Sequence, residues 1–145
     1  MLFIFTCSLI MAADNPFVGT WKENDAKSYY SRPLLGKFSM IRVEGAGENR
    51  VRITSDYTRA DGTKGQMSAT PALDGTEAPM TGSTAILSFR PISSNSWDHI
   101  EKHPDGTSAQ RYWAVSNDGK TLFITGFGTA PDGQKYYFHR VLDKQ

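Results

Sequence analysis

The sequence predicts an all-β fold, a single antiparallel up-and-down β-barrel of about eight to ten strands. Five Asp-Gly dipeptides, a strong signal for hairpin turns, separate stretches in which polar and apolar residues alternate. Aromatic residues make up 12% of the chain, and its 13 glycines and 7 prolines suit strands joined by tight turns. No stretch has the length and periodicity of a helix that could cover a sheet. These features favour a sheet that closes on itself.

Length and charge narrow the class of protein. At 145 residues the chain has the size of one domain. Sixteen basic against fifteen acidic residues give a formal net charge of +1, and no run of five like charges occurs. Binding to nucleic acids or membrane surfaces depends on concentrated charge, so the composition predicts no such partner.

The first thirteen residues predict a signal peptide. The apolar run Leu2–Met11 is followed by small residues, and its length suits a secretion signal but not a bilayer span. The protein would then be secreted or periplasmic, with residues 14–145 as the barrel domain. Because Cys7 is the one cysteine, cleavage near Ala13 would leave no disulfide. No basic residue precedes Trp21, so an upstream start, a buried N-terminal strand and lipidation of Cys7 remain alternatives.

The N-terminal third begins with a short strand around Phe17–Asn24. We expect one helical turn in the next segment, Asp25–Gly36, because an Asp stands at its head and Pro33 would end it. A hairpin of two alternating strands, Lys37–Glu44 and Arg50–Arg59, follows.

Turn signals place the remaining strands and bring the total to about nine. A loop at Pro91–Asn95 divides the longest gap between Asp-Gly turns. A two-sheet sandwich is the alternative architecture, but sequential hairpins favour the barrel. The later predicted strands are Lys64–Leu73, Ala85–Arg90, Ser96–Lys102, Ser108–Val115, Thr121–Phe127 and Lys135–Leu142.

The opening Gly19-Thr20-Trp21 resembles the Gly-X-Trp signature of the lipocalin superfamily. The resemblance implies that Trp21 closes the base of the barrel and that Arg140, near the end of the last strand, packs across its ring. The stretch NPFVGTWKENDAKSYYS, the ADG and LDG turns and the later SNDGKTL are similar to small secreted bacterial lipocalin-like proteins. This resemblance implies a calycin-type β-barrel held shut by Gly19, Trp21 and Arg140.

The histidines provide the main candidates for chemistry. His99 and Glu101 have the spacing that puts two strand residues on one face, where they could bind zinc or form a catalytic dyad. We favour the simpler interpretation, a polar pair on the barrel exterior. We expect His103 in a turn, His139 facing solvent, and a bend or bulge at Gly126-Phe127-Gly128. No pattern indicates a nucleophile elbow, a phosphate loop or a calcium loop, so the sequence predicts no metal and no cofactor.

The barrel lumen is the expected binding site. With Trp21 and Arg140 turned inward, Tyr136 and Phe138 also face the lumen. For Ser108–Val115 we favour the phase that turns Arg111 inward, where it would need a carboxylate partner such as Glu101 or Asp56. A shift of one residue would instead bring Tyr112 inside. The predicted ligand-binding residues are Tyr57, Phe89, Arg111, Trp113, Tyr136 and Phe138.

Three functions are compatible with such a barrel. The favoured one is a binding protein that holds a small, partly apolar molecule in its lumen. The second is a small barrel enzyme, a cyclase, isomerase or hydrolase, with candidate catalytic residues His99, Glu101, Arg111 and Tyr57. The third is a filled barrel that serves as a structural or interaction module.

Overall fold

The computed structural model describes residues 14–32 and 36–145, and within them all regular structure is β-strand. The predicted signal segment, residues 1–13, lies outside the described residues. The described residues contain no apolar helix of membrane-spanning length. The strands are β1 (Gly19–Glu23), β2 (Tyr29–Tyr30), β3 (Gly36–Gly45), β4 (Val51–Arg59), β5 (Lys64–Ala69), β6 (Ala78–Pro79), β7 (Ile86–Ser93), β8 (Ser96–Lys102), β9 (Ser108–Val115), β10 (Thr121–Thr129) and β11 (Lys135–Lys144).

The strands form one antiparallel sheet that curls into a nearly closed barrel. Its order is β5-β4-β3-β1-β11-β10-β9-β8-β7-β6. Strand β1 lies between β3 and the last strand, β11, and pairs with both. The edge strands β5 and β6 meet where Ser68 and Thr81 exchange backbone hydrogen bonds of 3.0 and 2.7 Å. The predicted all-β, up-and-down, lipocalin-like barrel is confirmed.

The predicted helical turn after the first strand is wrong. Tyr29 and Tyr30 instead form β2 and pair with β11. The backbone N–H of Ser31 donates to the carbonyl of Tyr137 at 2.9 Å, and the N–H of Val141 donates to the hydroxyl of Ser28 at 3.0 Å. The segment satisfies its backbone groups on the neighbouring strand, and this tertiary pairing outweighs its local helical signal.

Several strand boundaries also differ from the predictions. The strand predicted over Lys64–Leu73 ends at Ala69, and the short β6 was missed. Strand β7 continues to Ser93, through most of the loop predicted at Pro91–Asn95. Strand β10 runs without a bulge through the two glycines where we expected one.

Trp21 forms the centre of the barrel base. Its side chain is fully buried, and its indole Nε1 donates to the carbonyl of Phe17 at 2.8 Å. Phe17, which is also fully buried, stacks on Trp97 with ring centroids 3.7 Å apart. These three aromatic side chains belong to one hydrophobic core.

The residue that covers Trp21 is Lys144, not Arg140 as the family resemblance implied. The Nζ atom of Lys144 lies 5.1 Å from the centre of the indole, because Lys144 is the register partner of Trp21 on β11. Arg140 lies earlier on β11 than Lys144, with its guanidinium over Phe38. Gly19 makes room for Lys144: its φ is +146°, and a Cβ there would lie 2.8 Å from Lys144 Cε.

We expect Trp21→Ala to lower the free energy of unfolding by about 3–5 kcal/mol, because it leaves a large cavity in the base of the core. Chemical denaturation would measure the loss. The control is Lys22→Ala, an exposed neighbour on the same strand, which should change stability by no more than about 0.5 kcal/mol. Equal stability of the two variants would contradict the role of Trp21.

Candidate functional site

A cavity of about 790 Å³ occupies the barrel above this aromatic base. It extends from the core to the turns at one end of the barrel, where Arg59, Asp105 and Asp132 contribute to its rim. Pockets of roughly 300–1,000 Å³ are the usual size for small-molecule sites. Its wall is rich in aromatic rings, which come from Tyr30, Phe38, Tyr57, Phe89, Trp113, Tyr136 and Phe138.

Glycines on the inner face of the sheet help keep this space open. Gly126 and Gly128 pair with Phe138 and Tyr136 across the β10–β11 ladder. A Cβ at Gly126 would lie 2.4 Å from the Phe138 ring, and one at Gly128 would lie 2.6 Å from the Tyr136 hydroxyl. The rings therefore lie against glycine backbone and leave the middle of the lumen open. Glycines placed opposite large aromatic residues are the sequence signal that we missed.

His99 faces the inside of the barrel, so its predicted exterior position is wrong. It lies on the same face of β8 as the buried Trp97, and only 3% of its surface is exposed. Its ring stacks on Phe89 at 4.1 Å and contacts the edge of Trp113 at 5.9 Å. Burial, together with the charge of Arg111, holds the pKa of His99 well below 6.5, so the imidazole is neutral.

His99 and Trp113 contribute unpaired polar atoms to the cavity wall. Neither ring nitrogen of His99 has a hydrogen-bond partner among the described residues, and the same holds for Trp113 Nε1. A buried polar group without a partner costs about 1–3 kcal/mol. These three nitrogen atoms therefore lower the folding stability relative to hydrocarbon side chains at the same positions.

Glu101 contacts two basic side chains, Arg111 and His103, on the cavity wall, and these three residues form the Glu101 cluster. The Oε2 atom of Glu101 accepts a hydrogen bond from Nη1 of Arg111, and its Oε1 atom lies 3.0 Å from Nε2 of His103. The inward register of Arg111 is the observed one, since Tyr112 is 45% exposed on the opposite face. Asp56, the other predicted partner of Arg111, pairs instead with Arg42 at 2.9 and 3.0 Å.

A second ion pair involves Arg140 on β11, two strands away from Arg111 on β9. Glu23 accepts hydrogen bonds from Nε and Nη2 of Arg140 at 2.9 and 2.7 Å, and both side chains are buried. The hydroxyl of Tyr30 donates to the other oxygen of Glu23 at 2.9 Å. Burial raises the pKa of Tyr30, so its phenol remains a donor at neutral pH.

The candidate catalytic residues do not form one connected group. Glu101 and Arg111 are bonded, but no hydrogen bond joins His99 to either of them among the described residues. The hydroxyl of Tyr57 accepts from Arg59 at 2.8 Å, near the rim. Within residues 14–32 and 36–145, no three His, Cys, Asp or Glu side chains are close enough together to hold a metal ion.

The predicted ligand-binding residues all line the cavity. Tyr57, Phe89, Arg111, Trp113, Tyr136 and Phe138 belong to its wall. His103, predicted only as a turn residue, also reaches the cavity, because its ring turns back toward Glu101. His139 is exposed on the outer face, as predicted.

Comparisons with known proteins support the fold. No protein-family model matches the sequence, and no curated protein is significantly similar to it. A mutant of the fluorescent protein UnaG is similar in structure, with a TM-score of 0.60, 14% identity, and coverage of 90% of this chain and 96% of that chain. A redesigned β-barrel has a TM-score of 0.55 and 11% identity, with 90% and 92% coverage. The designed protein EF1p2_mFAP2b, bound to DFHBI, has a TM-score of 0.50 and 12% identity, with 90% and 94% coverage. The chain therefore has a calycin-type barrel fold.

The buried neutral His99 predicts a specific dependence of stability on pH. In the unfolded chain a histidine gains a proton as the pH falls below about 6.5, whereas folded His99 does not. Stability should therefore fall below pH 6.5, by at most about 1.4 kcal/mol per pH unit from this group. The comparison is with His99→Phe, which retains a flat ring without the titrating nitrogen atoms.

Urea denaturation of both proteins at pH 7.5 and pH 5.5 measures this contribution. The stability of the wild type relative to His99→Phe should be lower at pH 5.5 than at pH 7.5. A difference that stays constant would show that His99 titrates equally in both states.

Proposed function

We propose that this protein is a secreted or periplasmic binding protein that holds a small, partly apolar molecule in the barrel lumen. The observation that carries this proposal is the cavity of about 790 Å³ inside the closed sheet. Apolar walls with a few polar groups are typical of small-molecule sites. The aromatic wall supplies the apolar surface, and the Glu101 cluster and the Arg140 pair supply polar anchors.

The architecture favours binding over the two alternatives. A filled barrel would have side chains in the lumen, where this structure has a cavity of about 790 Å³. An enzyme of the kind predicted from the sequence needs His99, Glu101, Arg111 and Tyr57 in hydrogen-bond reach of one another. Only Glu101 and Arg111 are joined in this way.

Fold similarity adds limited support. One of the similar barrels is itself a complex with a small molecule, DFHBI. At 12% identity this likeness concerns the fold, so the ligand of this chain has to be inferred from its own residues. The absence of a nucleic-acid partner and the export of the chain remain predictions from composition and from residues 1–13.

Fluorescence titration with N-phenyl-1-naphthylamine, an uncharged apolar dye, tests the proposal. The wild type should bind the dye and enhance its emission. Ser55→Trp adds an indole on the cavity wall and should weaken binding by about tenfold or more, because the dye and the indole need the same space.

The matched control is Arg52→Trp, which adds the same indole on the same strand at an exposed position outside the cavity. Its affinity for the dye should equal that of the wild type. Equal affinities of all three proteins would show that the dye binds elsewhere and would contradict a lumen site.

A further inference from the structure

The two guanidinium groups inside the barrel are each neutralised by a carboxylate. Arg111 donates to Glu101, whose surface is 8% exposed, and Arg140 donates twice to Glu23, which is 9% exposed. Both arginines line the cavity. The cavity wall therefore contains two cations, and each of them is bonded to an anion.

The rim does not change this balance. Arg32 and Asp132 form an ion pair at 2.8 Å across the mouth of the cavity. Arg59 and Asp105 contribute one further charge of each sign. His99, which is more buried than Arg140 or Glu101, is held neutral by its burial and adds no positive charge.

This balance decides which ligands can enter without a charge penalty. A ligand carboxylate would find both guanidinium groups already paired, and it would approach Glu101, which carries the same sign. An unpaired charge in a low-dielectric interior is costly. An uncharged ligand avoids that cost, and a hydroxyl or carbonyl on it can accept from the guanidinium N–H groups that the carboxylates do not use.

We propose that the cavity selects uncharged ligands over anionic ones, and that Glu101 sets this selectivity by neutralising Arg111. The inference rests on the proposed binding function. Glu101 is the carboxylate that reaches the open lumen, since it lines the cavity wall, whereas Glu23 lies behind Arg140. Removing the charge of Glu101 should leave Arg111 as an unpaired cation that attracts anions.

Competition against bound N-phenyl-1-naphthylamine tests this selectivity. The competitors are decan-1-ol and decanoate, which have the same chain length and differ in charge, measured at pH 8 in the full chain. In the wild type, the alcohol should displace the dye at an inhibition constant about tenfold lower than that of decanoate. In Glu101→Gln the ratio of the inhibition constant of decanoate to that of the alcohol should fall by about tenfold.

Asp56→Asn is the matched control, because Asp56 forms a bidentate pair with Arg42 away from the cavity. It removes the same charge, and the ratio of the two inhibition constants should stay at the wild-type value. Thermal unfolding of each variant verifies that it is folded.

The outcomes separate the two proposals. If the dye does not bind the wild type, the binding function fails and this inference falls with it. If the dye binds but decanoate competes as well as decan-1-ol in the wild type, the lumen site stands and the charge selectivity is wrong. An unchanged ratio in folded Glu101→Gln would show that Glu101 does not set the selectivity.

Should that variant not fold, the wild-type ratio still decides the selectivity, and Arg111→Gln is used in place of Glu101→Gln. Arg111→Gln leaves no lumen cation unpaired, so it should not favour decanoate, and a gain for decanoate would overturn the assignment.

Discussion

The short strand β1 is the element on which the rest of the structure depends. It has only five residues, yet it pairs with β3 on one side and β11 on the other, and so joins the first and last long strands into a ring. Trp21 lies at its centre and packs into the base of the core, with Lys144 over one face of its ring. Gly19 allows the lysine to lie there. Because the base is fixed in this way, the opposite end can remain open without loss of the fold.

The polar groups on the lumen wall reduce the stability that a fully apolar interior would provide. Two ion pairs, Glu101 with Arg111 and Glu23 with Arg140, occupy wall positions where hydrocarbon side chains would pack without desolvating charge. His99 adds nitrogen atoms with no partner among the described residues. Replacing buried ion pairs by well-packed apolar residues is often neutral or stabilising. Contact with a ligand in the cavity therefore explains these groups better than folding stability does.

Local patterns in the sequence predicted the parts of the fold that depend on local physics. Asp-Gly turns depend on local backbone conformation, so the hairpins could be predicted. The alternation in β4, β9 and β11 follows the side-chain period of two, so the inward phase of Arg111 and Phe138 could be predicted as well. Strand β2 could not, because its two residues pair with β11 at the other end of the chain. Strand β6 pairs with the neighbouring β7, but its two residues are too few to show an alternating pattern.

The errors at the site have two different origins. His99 was assigned to the exterior because of its polarity, although Trp97 two residues earlier fixes the inward face of β8. Arg140 was placed over Trp21 by resemblance, but the cross-strand register brings Lys144 there and leaves Arg140 beside Glu23. The register between β1 and β11 comes from pairing between the two ends of the chain, which one sequence without its fold does not reveal.

The central claim is that an apolar molecule occupies the lumen and that the aromatic wall contacts it. A crystal structure of the protein grown with N-phenyl-1-naphthylamine tests it most directly. We expect dye density inside the barrel, in contact with Phe89 and Tyr136, while the strands keep their positions. Side chains filling the lumen, with the dye absent or bound only to outer residues such as Tyr112 and Phe127, would contradict it.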